Sequence, residues 1–339
     1  MSEYSAGSSY LLVYNGVNTN VFSKSFFRVS LVKYISASSR FSILTPDSSL
    51  LIERTGNLLQ KVDSVFGTDQ FNYDPSGRIT GQTDPERKYK SYLYDPAGDL
   101  LKTKVEPENE GWSREGEYEG VRYRFDWVGN LVERTKKQDK TEFVWDANGR
   151  LVESICDESK TNYAYDPLGR RISKETDGVK TCFYWDGDAL LGDVTAEDTR
   201  EWVYYPGSFE PLAMVRNEEF YLYHNDPNGC PSRLLDESGK VVWAARYDAW
   251  GKVKKLLVDE VDQPLRLQGQ YFDRETGLYY NRFRYYEPNV GSFISQDPLG
   301  LVAGESIYGF GLNAMSWIDP LGLHCRDRKS TRLNSSHLG

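Results

Sequence analysis

A unit of about twenty residues recurs along the middle of this chain: an aromatic residue, Asp, two variable residues, Gly, a polar residue, then Leu or Ile. The copies are Tyr73-Asp74-Pro75-Ser76-Gly77-Arg78-Ile79, Tyr94-Asp95-Pro96-Ala97-Gly98-Asp99-Leu100, Phe125-Asp126-Trp127-Val128-Gly129-Asn130-Leu131, Trp145-Asp146-Ala147-Asn148-Gly149-Arg150-Leu151 and Tyr165-Asp166-Pro167-Leu168-Gly169-Arg170-Arg171-Ile172. Their lead aromatics are separated by 21, 31, 20 and 20 residues, and Trp185-Asp186-Gly187-Asp188 continues the step more weakly. Thr55-Gly56-Asn57-Leu58 ends an earlier unit. Self-similarity at a fixed period means that each unit is one supersecondary element, which buries its apolar face by stacking on its neighbours.

Asp, then Pro or a small residue, then Gly is turn chemistry: Asp bonds its own backbone, Pro presets φ and Gly accepts positive φ. Aromatic and β-branched residues flank each turn, as in Phe143-Val144-Trp145, and predict strands with alternating faces. Twenty residues hold two strands of roughly six residues and two short turns. Each repeat is therefore expected to be a β-hairpin. A lone hairpin is marginal in water, so neighbouring hairpins must stack into a long sheet. The fold class is all-β, a curled strip of stacked hairpins that ends in a compact block. The extra length between Tyr94 and Phe125 predicts a loop insertion there.

The 24 Tyr, 15 Phe and 8 Trp among 339 residues suit such a sheet, and a net charge of −9 argues against a general nucleic-acid or anionic-membrane binder. Cys156, Cys182, Cys230 and Cys325 are scattered with no C-x-x-C pair, and His224, His324 and His337 lack metal-ligand spacing. No metal, no cofactor and no disulfide framework is expected. No segment reaches the roughly eighteen apolar residues of a membrane span, and residues 1–20 lack a basic stretch followed by an apolar one. Simple Sec export has no support; delivery by a dedicated apparatus stays open.

Residues 1–48 form an atypical Ser-rich leader without a repeat, read as disordered or as translation from a wrong start; 13 of the first fifty residues are Ser. Residues 49–255 are the repeat region. Residues 256–323 form a dense block that runs through Tyr271-Phe272-Asp273 and Thr276-Gly277-Leu278-Tyr279-Tyr280-Asn281-Arg282-Phe283-Arg284-Tyr285-Tyr286 to two Asp-Pro-Leu-Gly-Leu boxes, at 297–301 and 319–323. Residues 324–339 are a tail outside this pattern. From about Asp327 to His337 it matches one reading frame of a sequencing-library adapter, so the expectation is that the native coding sequence stops near Cys325 or Arg326.

These motifs resemble the YD repeats and the repeat-associated core of Rhs proteins, over roughly 49–323. The resemblance implies that the sheet is part of a hollow shell around a C-terminal toxin, with the second box marking a self-cleavage site. It implies cleavage between Leu323 and His324, and partners that comprise the toxin domain (absent from this chain), an immunity protein and a type VI or other secretion apparatus. Secretion or cell-surface display after cytoplasmic synthesis follows from the same resemblance. Two positions depart from the family's habit: Ala314 stands where Pro is frequent, and Ser292 where Arg is.

Two carboxylates hydrolyse a peptide when one is charged and activates water while the other is protonated and polarises the carbonyl. Asp297 and Asp319, one per box and 22 residues apart, are the candidate pair, acting once and in cis as an aspartyl protease with no metabolic activity. The same dipeptide Asp-Pro also occurs at 74–75, 84–85, 95–96, 166–167 and 226–227, where it starts turns, so a turn role is the competing reading. A second functional class stays open beside the toxin shell: a non-catalytic cell-surface YD-repeat protein that stacks its aromatics on carbohydrate or binds protein partners. Plain sheet packing accounts for the same aromatic alternation.

Overall fold

In the computed structural model, residues 8–15, 28–35, 40–44, 48–53, 55–95, 98–105, 113–302, 306–323 and 325–327 are described. The adapter-like tail beyond 327, residue 324 and most of the 94–125 insertion (106–112) lie outside the described residues. The chain divides into two units, at Tyr92 and Leu93. In the first, an eight-stranded sheet runs from Ser8–Asn15 to Tyr89–Ser91, every strand pairing antiparallel with the next. Three of its strands, Ser8–Asn15, Arg28–Ile35 and Arg40–Leu44, fall within the Ser-rich leader.

In the second unit a sixteen-stranded sheet runs from Thr103–Val105 to Val253–Asp259, again strictly in chain order. The predicted repeats at Tyr73, Phe125, Trp145, Tyr165 and Trp185 are hairpins, as the turn chemistry dictates, whereas the copy at Tyr94 is not: the strands on either side of it, Tyr89–Ser91 and Thr103–Val105, belong to different sheets. The strand Asp139–Trp145 turns through Asp146–Gly149 into Leu151–Cys156, and Ser159–Tyr165 turns through Asp166–Gly169 into Arg171–Thr176. Within a turn the Asp amide donates to the carbonyl four residues on, and the Gly amide donates back to the Asp carbonyl. The Asp side chain accepts the amide of the residue four on, at 3.0 Å for Arg150 and 2.9 Å for Arg170. That same residue's guanidinium pairs with the carboxylate's other oxygen in Asp74–Arg78, Asp146–Arg150 and Asp166–Arg170. Where the repeat has Asp99 instead, burial and then the neighbouring Asp95 charge push its carboxyl up.

The ladder slips by one residue beside each lead aromatic, between Val144 and Trp145, Ala164 and Tyr165, Tyr184 and Trp185, and Val203 and Tyr204. A bulge takes backbone groups out of the ladder. The lead aromatic of the next repeat reaches back fourteen residues to one of these carbonyls: Trp145 Nε1 to Leu131 O at 2.7 Å, Tyr165 Oη to Leu151 O at 2.7 Å, Trp185 Nε1 to Arg171 O at 2.8 Å and Tyr204 Oη to Leu190 O at 2.7 Å. The repeat therefore favours an aromatic ring with a polar tip, which explains why Tyr and Trp lead most copies and Phe125 only one. Tyr204→Phe keeps the ring and removes the donor. It is expected to cost about 1–2 kcal/mol, read as a lower urea midpoint at unchanged slope; a midpoint equal to the parent's would remove the hydrogen bond from the account.

After the sixteen strands come a four-stranded sheet, Tyr271–Phe272, Tyr279–Asn281, Arg284–Glu287 and Ser292–Phe293, and a two-stranded ladder of Trp317–Ile318 with Arg326–Asp327. Among the described residues the helical content is one 3-10 turn, Gly300–Val302, and no helix is long and apolar enough to cross a membrane. The block packs on the inner rows of the repeat sheet: Leu131, Phe143, Leu151 and Tyr163 form one core with Leu278, Tyr280, Tyr285 and Ile294. A second core joins Phe183, Trp202, Met214 and Trp243 to Leu265 and Tyr271. In this inner row the repeats place Leu131, Leu151 and Leu190, but the fifth repeat places Arg171, fully buried. Its guanidinium pairs with Asp273 of the block at 2.5 Å and lies 4.3 Å from the Tyr280 ring and 4.5 Å from that of Phe183.

Candidate functional site

The two boxes use the same turn chemistry as the repeats. Asp297 Oδ1 accepts the Leu299 amide at 2.8 Å, and Gly300 N donates to Asp297 O at 2.8 Å. Asp319 Oδ1 accepts the Leu323 amide at 3.0 Å, four residues on as in the repeats. The difference lies at that fourth position. Three of the repeats place a cationic partner there, Arg78, Arg150 and Arg170, whereas the boxes place Leu301 and Leu323. The box carboxylates are also buried, 7% and 1% exposed, so their charge cannot be left to water.

Both turn to one side chain instead. Arg284 Nη2 lies 2.9 Å from Asp297 Oδ2 and 3.4 Å from Asp319 Oδ2, so the two aspartates of the two boxes meet on a single nitrogen. Arg284 stacks 3.7 Å from the centre of the Phe293 ring, and its Nη1 donates to Ile307 O at 3.2 Å. Burial lowers the affinity of this guanidinium for its proton, and the charges of Asp297 and then Asp319 offset part of that loss. Cys325 shares the neighbourhood, its thiol pushed up by burial and then by the Asp319 charge.

The turn between Tyr279–Asn281 and Arg284–Glu287 grips the second box along its backbone. Asn281 Nδ2 donates to Asp319 O at 2.9 Å, Phe283 N to Leu321 O at 3.1 Å and Arg284 Nε to Gly322 O. Gly322 has φ +70°, and a Cβ there would come within 2.7 Å of Asn281 O. On the other side Gly269, at φ +79°, lies so close to Pro320 that a Cβ would fall 1.9 Å from the Pro320 carbonyl oxygen. Neither backbone can yield cheaply. Gly269→Ala is expected to destabilise by more than about 2 kcal/mol, seen as a lower melting temperature; a variant that melts with the parent would show that this approach is not tight.

Of the sequence-predicted residues, the structure brings Asp297, Asp319 and the Leu323 amide together, and His324 lies outside the described residues. The box around Asp319 and Leu323 is the loop of a hairpin, between the paired strands Trp317–Ile318 and Arg326–Asp327. Ala314 is fully buried, its carbonyl accepting from Asn228 Nδ2, and Ser292 opens a strand paired with Glu287. Sequence reasoning missed Arg284, Asn281 and Gly269. The available signal was the dense Asn281-Arg282-Phe283-Arg284 stretch, whose charges have no place in an apolar block unless carboxylates meet them. Among the described residues no three His, Cys, Asp or Glu side chains gather as a metal site needs, and no disulfide joins the cysteines.

A family model described as Teneurin YD-shell matches residues 45–302. The chain is similar to the double-stranded DNA deaminase toxin A of Burkholderia cenocepacia, 35% identical over 79% of this chain and 22% of that protein. It is similar to toxin protein Tse5 of Pseudomonas aeruginosa, 32% identical over 79% of this chain and 26% of that one. A probable deoxyribonuclease, RhsA of Dickeya dadantii, is 35% identical over 42% of this chain and 10% of its own length. The chain thus spans about a quarter or less of the length of these relatives.

Proposed function

The chain belongs to the YD-repeat family of Rhs shell proteins, and from that premise we propose that it is the closing segment of a toxin shell, which cuts its own backbone after Leu323 to free the segment that follows. The observation that carries this reading is the meeting of Asp297 and Asp319 on Arg284, with the Leu323 amide held by Asp319. Relatives that align with this segment carry the names of different activities, a deaminase and a deoxyribonuclease. A segment common to both is better suited to enclosing an effector than to being one.

In the reaction, one carboxylate of the pair takes a proton from water as the water oxygen bonds to the Leu323 carbonyl carbon. The other, protonated, polarises that carbonyl and then passes its proton to the departing His324 nitrogen, so that the C–N bond breaks into a carboxylate and an amine. Arg284 keeps the pair's charge compensated, and burial keeps bulk water out. The Asp319–Leu323 and Arg284–Gly322 contacts hold the peptide in place, which converts a slow hydrolysis into an intramolecular one. The two-residue ladder of Trp317–Ile318 with Arg326–Asp327 is short enough to open once the loop is cut. By family resemblance the freed segment is a toxin with a cognate immunity protein, and delivery uses a dedicated secretion apparatus.

The test is the intact mass of the freshly purified chain followed over time. The expected product ends at Leu323, with a complementary peptide that begins at His324. A folded chain that keeps its full mass indefinitely would overturn the reading.

A further inference from the structure

The turn that grips the second box is itself held from the repeat sheet, and by an unexpected residue. Arg282 begins the two-residue connection between Tyr279–Asn281 and Arg284–Glu287, and its φ is +54°. Such left-handed backbone suits Gly, Asn or Asp and is avoided by residues with long side chains. An arginine in this conformation is retained for what its side chain does.

That side chain is 4% exposed and spans two repeats. Nε pairs with Asp188 at 2.7 Å, and Nη2 donates to Leu168 O at 2.9 Å. Leu168 sits in the turn between Ser159–Tyr165 and Arg171–Thr176; Asp188 sits in the next equivalent turn, between Val179–Asp186 and Ala189–Val194. Only stacked, in-register repeats put both turns within reach of one guanidinium. The Phe283 ring supports the guanidinium from 4.0 Å, and Tyr280 Oη donates to Arg282 O at 2.8 Å. From the same turn, Asn281, Phe283 and Arg284 hold Asp319, Leu321 and Gly322.

We propose that Arg282 is a positioning residue that ties the cleavage loop to two consecutive repeat turns, so that self-cleavage is licensed by completed stacking of the repeats. The proposal rests on the self-cleavage reading above. It extends that reading by making the cut a report on assembly of the sheet: an unstacked repeat leaves Arg282 without one of its two anchors, and the turn then presents Asp319 and Leu323 out of line. Displacements of about 1 Å at a reacting centre cost on the order of a hundredfold in rate.

The full chain decides this through three variants. Asp188→Asn removes the charge of a half-exposed partner. Arg282→Gly suits the turn's backbone better than the native residue but severs both anchors. Asp188→Arg with Arg282→Asp restores a pair, with Asp tolerating the left-handed turn. Self-cleavage is expected to slow by about tenfold or more in the first two, with melting temperatures near the parent's, and to recover in part in the exchanged pair. In parallel, amide hydrogen exchange in an uncut Asp297→Asn background is expected to rise by about tenfold at Leu323 when Asp188→Asn is added, with Phe143 and Tyr163 unchanged. Parental cleavage rates and unchanged Leu323 exchange would overturn the proposal, as would slowing only in step with lost stability. If the parent itself never cuts, the self-cleavage reading falls, and the exchange measurement still decides whether Arg282 orders the loop.

Discussion

Asp297→Asn and Asp319→Asn each leave the chain uncut on the time scale in which the parent loses everything after Leu323, a loss in rate of roughly 10²–10⁴-fold for removal of one acid–base partner. Asn is nearly isosteric with Asp, and its carbonyl oxygen can still accept the Leu299 or Leu323 amide that the native Oδ1 accepts. A change in rate therefore reports proton transfer and charge rather than a collapsed turn. Each variant is expected to keep the parent's strand content by circular dichroism. Because the pair acts as one unit, the double variant should be little slower than either single one. Quantifying the Leu323-terminated fragment by mass spectrometry over a time course checks all three. Parental cleavage in either single variant removes that aspartate from the chemistry, and the Asp-Pro turn reading then prevails for its box.

The architecture was legible because turn chemistry repeats every twenty residues, and repetition turns a weak local signal into a strong one. Asp146 and Gly149 alone would mark any turn; with Asp166 and Gly169 they fix a period, and the period fixes hairpins. Catalytic candidates were harder to separate from structure because Asp297, Asp319, Asp166 and Asp74 all occur as Asp-Pro. Part of the distinction was present four residues on, where Arg78 and Arg170 neutralise a repeat Asp and Leu301 and Leu323 do not, although the Asp-Pro turns at Asp95 and Asp226 carry Asp99 and Cys230 there and lack a cation too. A turn Asp without a partner at that position must be solvated or must find a cation from elsewhere in the chain. Arg284 is that cation, and its distance in sequence from either box, 13 residues before Asp297 and 35 before Asp319, hid it. Glycine roles were equally hidden: nothing around Gly269 announces that it faces Pro320, because that approach exists only once the block has folded onto itself.

The largest change in stability is expected from Asp273→Asn. Asp273 is fully buried and accepts both Arg171, at 2.5 and 3.0 Å, and Lys174, at 3.0 Å. Neutralising it leaves Arg171 charged among the rings of Tyr163, Phe183, Tyr280 and Tyr285. Breaking a buried pair from one side costs about 3–5 kcal/mol, or roughly ten degrees of melting temperature for a unit of this size. An exposed pair such as Lys160–Glu153 would cost under about 1 kcal/mol, so the two cases are readily told apart. Burial alone would raise the Asp273 carboxyl, but the charges of Arg171 and Lys174 override it and hold the group below its ordinary 3.8. With the folded value depressed, this contribution is whole above about pH 4 and drains away as pH falls through the folded value, so the parent should lose stability in acid more steeply than Asp273→Asn. Arg171→Leu combined with Asp273→Leu restores the leucine that the other repeats carry at this row and removes both charges together, while Lys174 keeps Glu275 at 2.8 Å. The double variant should recover most of the loss, since a buried pair replaced by apolar side chains is often neutral or better. An Asp273→Asn chain that melts within a degree or two of the parent would show that the aromatic cage, rather than the ion pair, holds the block on the repeats.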